Sequence, residues 1–136
     1  MKQEQKELLL KDLCARLPYG VKVKISCIES PLTVLSINTN GVAWVKGDKG
    51  YPFDIDWEYC KPYLFPLSSM SDEQKGEYNN LKHLVPTYHY EYGDIVEEDE
   101  LWDSPLSYQY LIENHFDCND LIPLGLAIDC TNLNIY

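Results

Sequence analysis

"VKVKISCIESPLTVLSINTNGVAWVKGDKGYPFDIDW" (residues 21–57) decides the fold. Val21, Val23, Ile25 and Cys27 alternate with Lys22, Lys24 and Ser26, the period of a half-buried strand. "LTVLSI" (32–37) runs into "NTNG", where Asn40-Gly41 suits a tight hairpin turn with positive φ, and "VAWV" (42–45) returns. "KGDKG" (46–50) is a second turn. Beyond it Tyr51, Phe53, Ile55 and Trp57 alternate with Pro52, Asp54 and Asp56, and Pro52 places the start of that strand at an edge. Four or five short strands in about 45 residues, joined by tight turns, predict a small β-barrel of the SH3-like class.

On the N-terminal side, "EQKELLLKDLCARL" (4–17) reads as an amphipathic helix. Leu9, Leu10, Leu13 and Leu17 form its inner stripe, and Lys6, Lys11, Asp12 and Arg16 are left for solvent. Pro18 and Gly20 stop it. On the other side, "EYCKPYLFPLSSM" (58–70) has two prolines and little periodicity, and is expected to cross the barrel as an irregular closing segment. A helix within 68–84 is announced by Ser71 and Gln74 at capping-box spacing, with Asp72 and Glu73 in the first turn and Tyr78, Leu81 and Leu84 facing inward. Residues 85–105, with alternating Tyr88, Tyr90 and Tyr92 and then an acidic run, read as a strand or extended arm. Ser104 and Pro105 open a last helix whose inner stripe is Leu106, Tyr110 and Leu111.

The charge is lopsided. Net charge is -11 over 136 residues. Residues 1–70 hold nine Lys/Arg against eight Asp/Glu, whereas residues 71–136 hold two against fourteen. No run of about 18 uncharged apolar residues exists, so no membrane span is expected. The charged N-terminus does not read as a signal peptide, which points to the cytosol. The five cysteines are odd in number and widely spaced, and read as reduced thiols acting as small hydrophobes. The organisation expected is α+β: residues 1–70 as a helix plus SH3-like barrel, and residues 71–136 as an acidic helical elaboration packed on it as one compact unit.

Chemistry has little to stand on. "NHFDCND" (114–120) concentrates His115, Asp117, Cys118 and Asp120, residue types that could form a metal or hydrolase site. They are too close in sequence to converge on one ion without a loop folding back, and the plainer account is a helix end followed by a turn, with His115 as a cation on the helix dipole. Asp54, Asp56 and Glu58 are ordinary outward carboxylates of a half-exposed strand. No phosphate loop, nucleophile elbow or paired cysteines occur, so no cofactor and no metal are implied.

Two binding surfaces remain. Lys22, Lys24, Lys46, Lys49 and Lys61 with Trp44 and Tyr51 are the residue types of a nucleic-acid-binding barrel. The acidity of the second half opposes this, because backbone binding depends on neutralising phosphates. The sharper lead is "DIVEEDELWDSP" (94–105) after "TYHYEY": Tyr90, Tyr92 and Trp102 supply anchors, and Glu97, Glu98, Asp99 and Glu100 would steer a basic partner. The same pattern would serve a DNA mimic that inhibits a nucleic-acid-binding protein.

"LLLKDLCARLPYGVKVKI" (8–25), "KPYLFPLSSM" (61–70) and "NHFDCNDLIPLGLAID" (114–129) resemble a group of short uncharacterised proteins of Bacteroidales phages and prophages. The resemblance implies a phage or mobile-element origin and a bacterial host cytosol, and transfers no catalytic or binding residue. The expectation is thus a non-enzymatic binding protein whose acidic-aromatic surface meets a basic host or phage protein.

Overall fold

A computed structural model describes all 136 residues. In chain order the elements are α1 (Gln3–Arg16), β1 (Lys22–Ile25), β2 (Ile28–Ile37), β3 (Val42–Lys46), β4 (Phe53–Asp56), β5 (Lys61–Leu64), α2 (Asp72–Asn80), β6 (His83–Glu91), β7 (Asp94–Trp102), α3 (Pro105–Glu113) and β8 (Ile128–Asp129). The chain is α+β with an N-terminal helix. It divides into two compact units, one of residues 1–69 and 112–136, the other of residues 70–111.

In the first unit, β1 to β4 form an antiparallel meander, and a six-stranded sheet runs in the order β4-β3-β2-β1-β5-β8. The sheet is open, so the closed barrel expected from the turn spacing does not form. One reason is visible in β5: one of its edges pairs antiparallel with β1, and the other is taken by β8 in parallel. Within the segment expected to be irregular, 58–70, Lys61–Leu64 is therefore a strand, with Pro62 set opposite Val23, while 3-10 turns at Trp57–Tyr59 and Leu67–Ser69 flank it. Prolines hid it, because a missing N–H reads as a breaker unless the position needs no donor.

Val21, Val23 and Ile25 face inward with Leu32, Val34, Ala43 and Val45, and Leu9 and Leu13 of α1 join the same core. Cys27 does not follow its alternating neighbours; it is exposed in the tight turn between β1 and β2. The hairpin turn at Asn40-Gly41 forms as its sequence predicts, with Gly41 at φ +83. Glycine is required there twice over, because a Cβ would also sit 3.3 Å from Nε1 of the buried Trp57.

The helical wheel of α1 misleads at two positions. Asp12 and Arg16, expected in solvent, are both completely buried. Arg16 donates from Nε to Asp12 Oδ2 at 2.8 Å and from Nη2 to Asp12 Oδ1 at 3.1 Å. It also donates from Nη2 to the carbonyl of Phe116 at 2.6 Å, and Asn119 donates to Asp12 Oδ1 at 2.9 Å. A buried charge persists only when paired and hydrogen-bonded, and here residues about a hundred positions away complete the shell. No periodicity within α1 could announce that.

In the second unit, α2 begins with the expected capping box: Gln74 N–H donates to Ser71 Oγ at 3.1 Å, and Ser71 N–H to Gln74 Oε1 at 2.9 Å. Ser104 caps α3 through Ser107 N–H at 3.0 Å. Two inner-stripe assignments fail. Leu106 is exposed while Ser107, Tyr110 and Leu111 are buried, and Leu84 lies exposed on β6 because α2 ends at Asn80.

Candidate functional site

Residues 83–102 form a two-stranded antiparallel ribbon, β6 against β7, in uninterrupted register from His83↔Trp102 to Glu91↔Asp94. The turn between them is Tyr92-Gly93, with φ +52 and +84, the pair of positive φ angles of a type I′ turn. The base of the ribbon is clamped. Ser104 Oγ donates to the carbonyl of Leu81, the Tyr78 hydroxyl donates to Asp103, and the Tyr110 hydroxyl donates to Glu77 at 2.8 Å.

Strand alternation sorts the ribbon into two faces. Leu84/Leu101, Pro86/Asp99, Tyr88/Glu97 and Tyr90/Ile95 share one; His83/Trp102, Val85/Glu100, Thr87/Glu98, His89/Val96 and Glu91/Asp94 share the other. On the second face Val85, Thr87 and Val96 are half-buried, and Trp102 Nε1 donates to Glu100 at 3.1 Å. His89 lies 3.7 Å from Glu91 and 3.9 Å from Glu98. The first face is open: Leu84, Tyr88, Tyr90, Ile95 and Leu101 are 47–80% exposed. The ribbon carries six carboxylates (Glu91, Asp94, Glu97, Glu98, Asp99 and Glu100) and no Lys or Arg.

The sequence-predicted interface is therefore divided. Tyr90, Glu97 and Asp99 stand on the open apolar face, Glu98, Glu100 and Trp102 on the opposite one, and Tyr92 at the tip. Leu84, Tyr88, Ile95 and Leu101 complete the open face and were not among the predicted residues. The signal that could have found them is the period-two alternation of "LVPTYHY" combined with a hairpin turn at Tyr92-Gly93.

The cluster at residues 114–120 is spent on structure. His115 sits at φ +63, its ring stacked on Tyr136 at 3.6 Å between centroids. Burial, then the charges of Arg16 and Lys22, lowers its pKa to about 4, so it is neutral at pH 7 rather than the helix-end cation expected. The Asp117 carboxylate accepts from the N–H groups of Leu121 and Ile122, both at 2.9 Å. Cys118 Sγ lies 3.7 Å from Arg16 Nη2, and Asp120 is exposed in a left-handed turn. No group of three or more His, Cys, Asp or Glu side chains in the chain could hold a metal ion.

The lysines named above converge in part. Lys22, Thr33 and Lys46 form one row across β1, β2 and β3, and Lys24 lies opposite Lys61. Trp44 shares their face, with Asp54 beside it on β4. Lys49 and Tyr51 belong instead to a cleft of about 510 Å³ beside Ile28, Leu32 and Phe53. No helix is long and apolar enough to cross a membrane. No protein-family model, curated protein or solved structure matches the chain.

Proposed function

We propose that the protein is a non-enzymatic protein-binding module of phage or mobile-element origin. On this reading the acidic-aromatic ribbon β6–β7 meets a basic host or phage protein in the bacterial cytosol. The observation that carries this is the open ribbon face, where five large apolar side chains stand in solvent among carboxylates with no cation of their own. Such a face is costly to leave bare, and exposed apolar patches in soluble proteins commonly mark contact surfaces. Aromatic and aliphatic anchors supply the buried area, and six negative charges steer and select the partner. The test is capture from host lysate with protein identification, comparing wild type, the neutralised E97Q/E98Q/D99N/E100Q form and Tyr88→Ser/Ile95→Ser. A basic protein retained by wild type and lost from both variants supports the reading. Capture that neither variant reduces refutes it.

A second reading rests on the first unit. The order β4-β3-β2-β1-β5, with a 3-10 turn at Trp57–Tyr59 before β5, supports an SH3-like arrangement of an open kind. Lys22, Lys24, Lys46 and Lys61 on one side of it, with Trp44, would suit a nucleic-acid backbone. A gel-shift titration with single-stranded oligonucleotide at low salt decides it. Binding weakened by Lys24→Glu/Lys46→Glu supports this alternative, and no shift at low salt removes it.

A further inference from the structure

The backbone of the ribbon narrows the kind of partner. In an antiparallel pair, alternate residues exchange both hydrogen bonds with the residue opposite, while those between turn their N–H and C=O outward. The two-residue turn makes Glu91 and Asp94 an inward-bonding pair. Counting from it, Val96, Glu98, Glu100 and Trp102 bond inward, and Ile95, Glu97, Asp99 and Leu101 turn their backbone groups out. Two observations agree with this phase. Thr87 Oγ1 donates to the carbonyl of Glu98 at 2.8 Å, and Pro86, which has no N–H to give, falls at an outward position opposite Asp99.

The two edges differ as a result. On β6 the outward row Leu84, Pro86, Tyr88, Tyr90 is interrupted by proline. On β7 the outward row Ile95, Glu97, Asp99, Leu101 is unbroken, and no strand pairs with it. An unbroken open edge is a template for another strand. A second copy of this chain is a poor occupant, because β7 against β7 would set carboxylate against carboxylate.

We propose that an extended cationic segment of the partner protein adds to the free edge of β7 as a third strand; this rests on the ribbon being the partner surface. Residues 97–100 put carboxylates on both faces in succession, so the incoming strand carries about four consecutive Lys/Arg, two toward each face. Ile95, Val96, Leu101 and Trp102 lie at either end of that acidic run, so the basic residues are flanked by apolar ones. Main-chain bonds supply affinity that does not depend on sequence, and the charged and apolar positions supply register.

The probe is an eight-residue peptide, Val-Ile-Lys-Arg-Lys-Arg-Leu-Val, with two further forms N-methylated at one or the other set of alternate amides. Binding to the full-length protein is read by fluorescence anisotropy, and backbone amide exchange by NMR. One methylated form is expected to bind at least about tenfold more weakly and the other to keep its affinity, since only one set of amides faces β7. Amide exchange at Ile95, Glu97, Asp99 and Leu101 is expected to slow on binding. Equal affinity of the three peptides, or equal loss in both methylated forms, overturns strand addition while leaving the ribbon as a charged surface. Binding unchanged by E97Q/E98Q/D99N/E100Q overturns the ribbon reading as well. Absence of binding by all three overturns strand addition, and the capture experiment then judges the ribbon separately.

Discussion

Replacing Asp12 with alanine should be among the most damaging single changes in α1, although alanine is the better helix former. The substitution removes the 2.8 Å and 3.1 Å bonds from Arg16 and the 2.9 Å bond from Asn119. Arg16 keeps only neutral acceptors, the carbonyls of Phe116 at 2.6 Å and Ile112 at 3.4 Å and Cys118 Sγ at 3.7 Å, and its side chain has no access to water. Stranding a buried charge costs about 3–5 kcal/mol. Unfolding entropy of about 2.1 cal/mol/K per residue gives about 0.29 kcal/mol/K for 136 residues, so Tm should fall by roughly 10–17 °C. That is a large share of the roughly 5–15 kcal/mol that holds an ordinary domain together. Asp12→Leu/Arg16→Met should cost less than Asp12→Ala alone, because it removes both charges together. The assay is urea unfolding followed by tryptophan fluorescence in a Trp102→Phe background, so that Trp44 and Trp57 carry the signal. A loss below about 1 kcal/mol for Asp12→Ala, or a double variant less stable than the single one, refutes the reasoning.

Further outcomes follow from the same structure. His115 has its pKa lowered from 6.5 to about 4, so the stability it contributes is complete above pH 6.5 and is lost as pH falls toward 4. His115→Asn, which tolerates the left-handed backbone, should flatten that part of the acid profile; urea unfolding of both proteins between pH 7.5 and 4 checks this, and parallel profiles contradict it. Cys60 and Cys130, buried and with pKa values raised to about 11, should resist Ellman's reagent in the native protein. The exposed Cys14 and Cys27 should react, and mass spectrometry of the labelled peptides separates the four. Gly93→Val places a β-branched residue at φ +84 and should weaken the ribbon turn by roughly 1 kcal/mol or more. It would be read as amide exchange of β6 and β7 accelerating at least about fivefold.

Much of the first unit is legible in the residues themselves. Alternation marks Val21, Val23 and Ile25 as core, Asn40-Gly41 marks its turn, and Leu9 and Leu13 mark the inner side of α1. β5 was hidden by Pro62, whose cost depends on whether its position must donate a hydrogen bond. The ribbon was half legible. The alternating tyrosines announce extended chain, but Tyr92-Gly93 is a weaker hairpin signal than Asn-Gly, because tyrosine pays for positive φ where asparagine adopts it readily. Without that turn β7 reads as a charged run, and the acidic-aromatic residues do not sort into faces.

Local chemistry, then, already specified the helix starts, the alternating core strands and the concentration of acid in residues 71–136, because propensity, capping and charge act over a few neighbours. Long-range packing alone decided that Asp12 and Arg16 lie inside, that β8 lines the far edge of β5, and that the 114–120 cluster serves structure. Each of those outcomes depends on partners brought from distant parts of the chain. The energy of burying a charge or completing a strand edge is a property of the assembled neighbourhood, and no window of contiguous residues contains it.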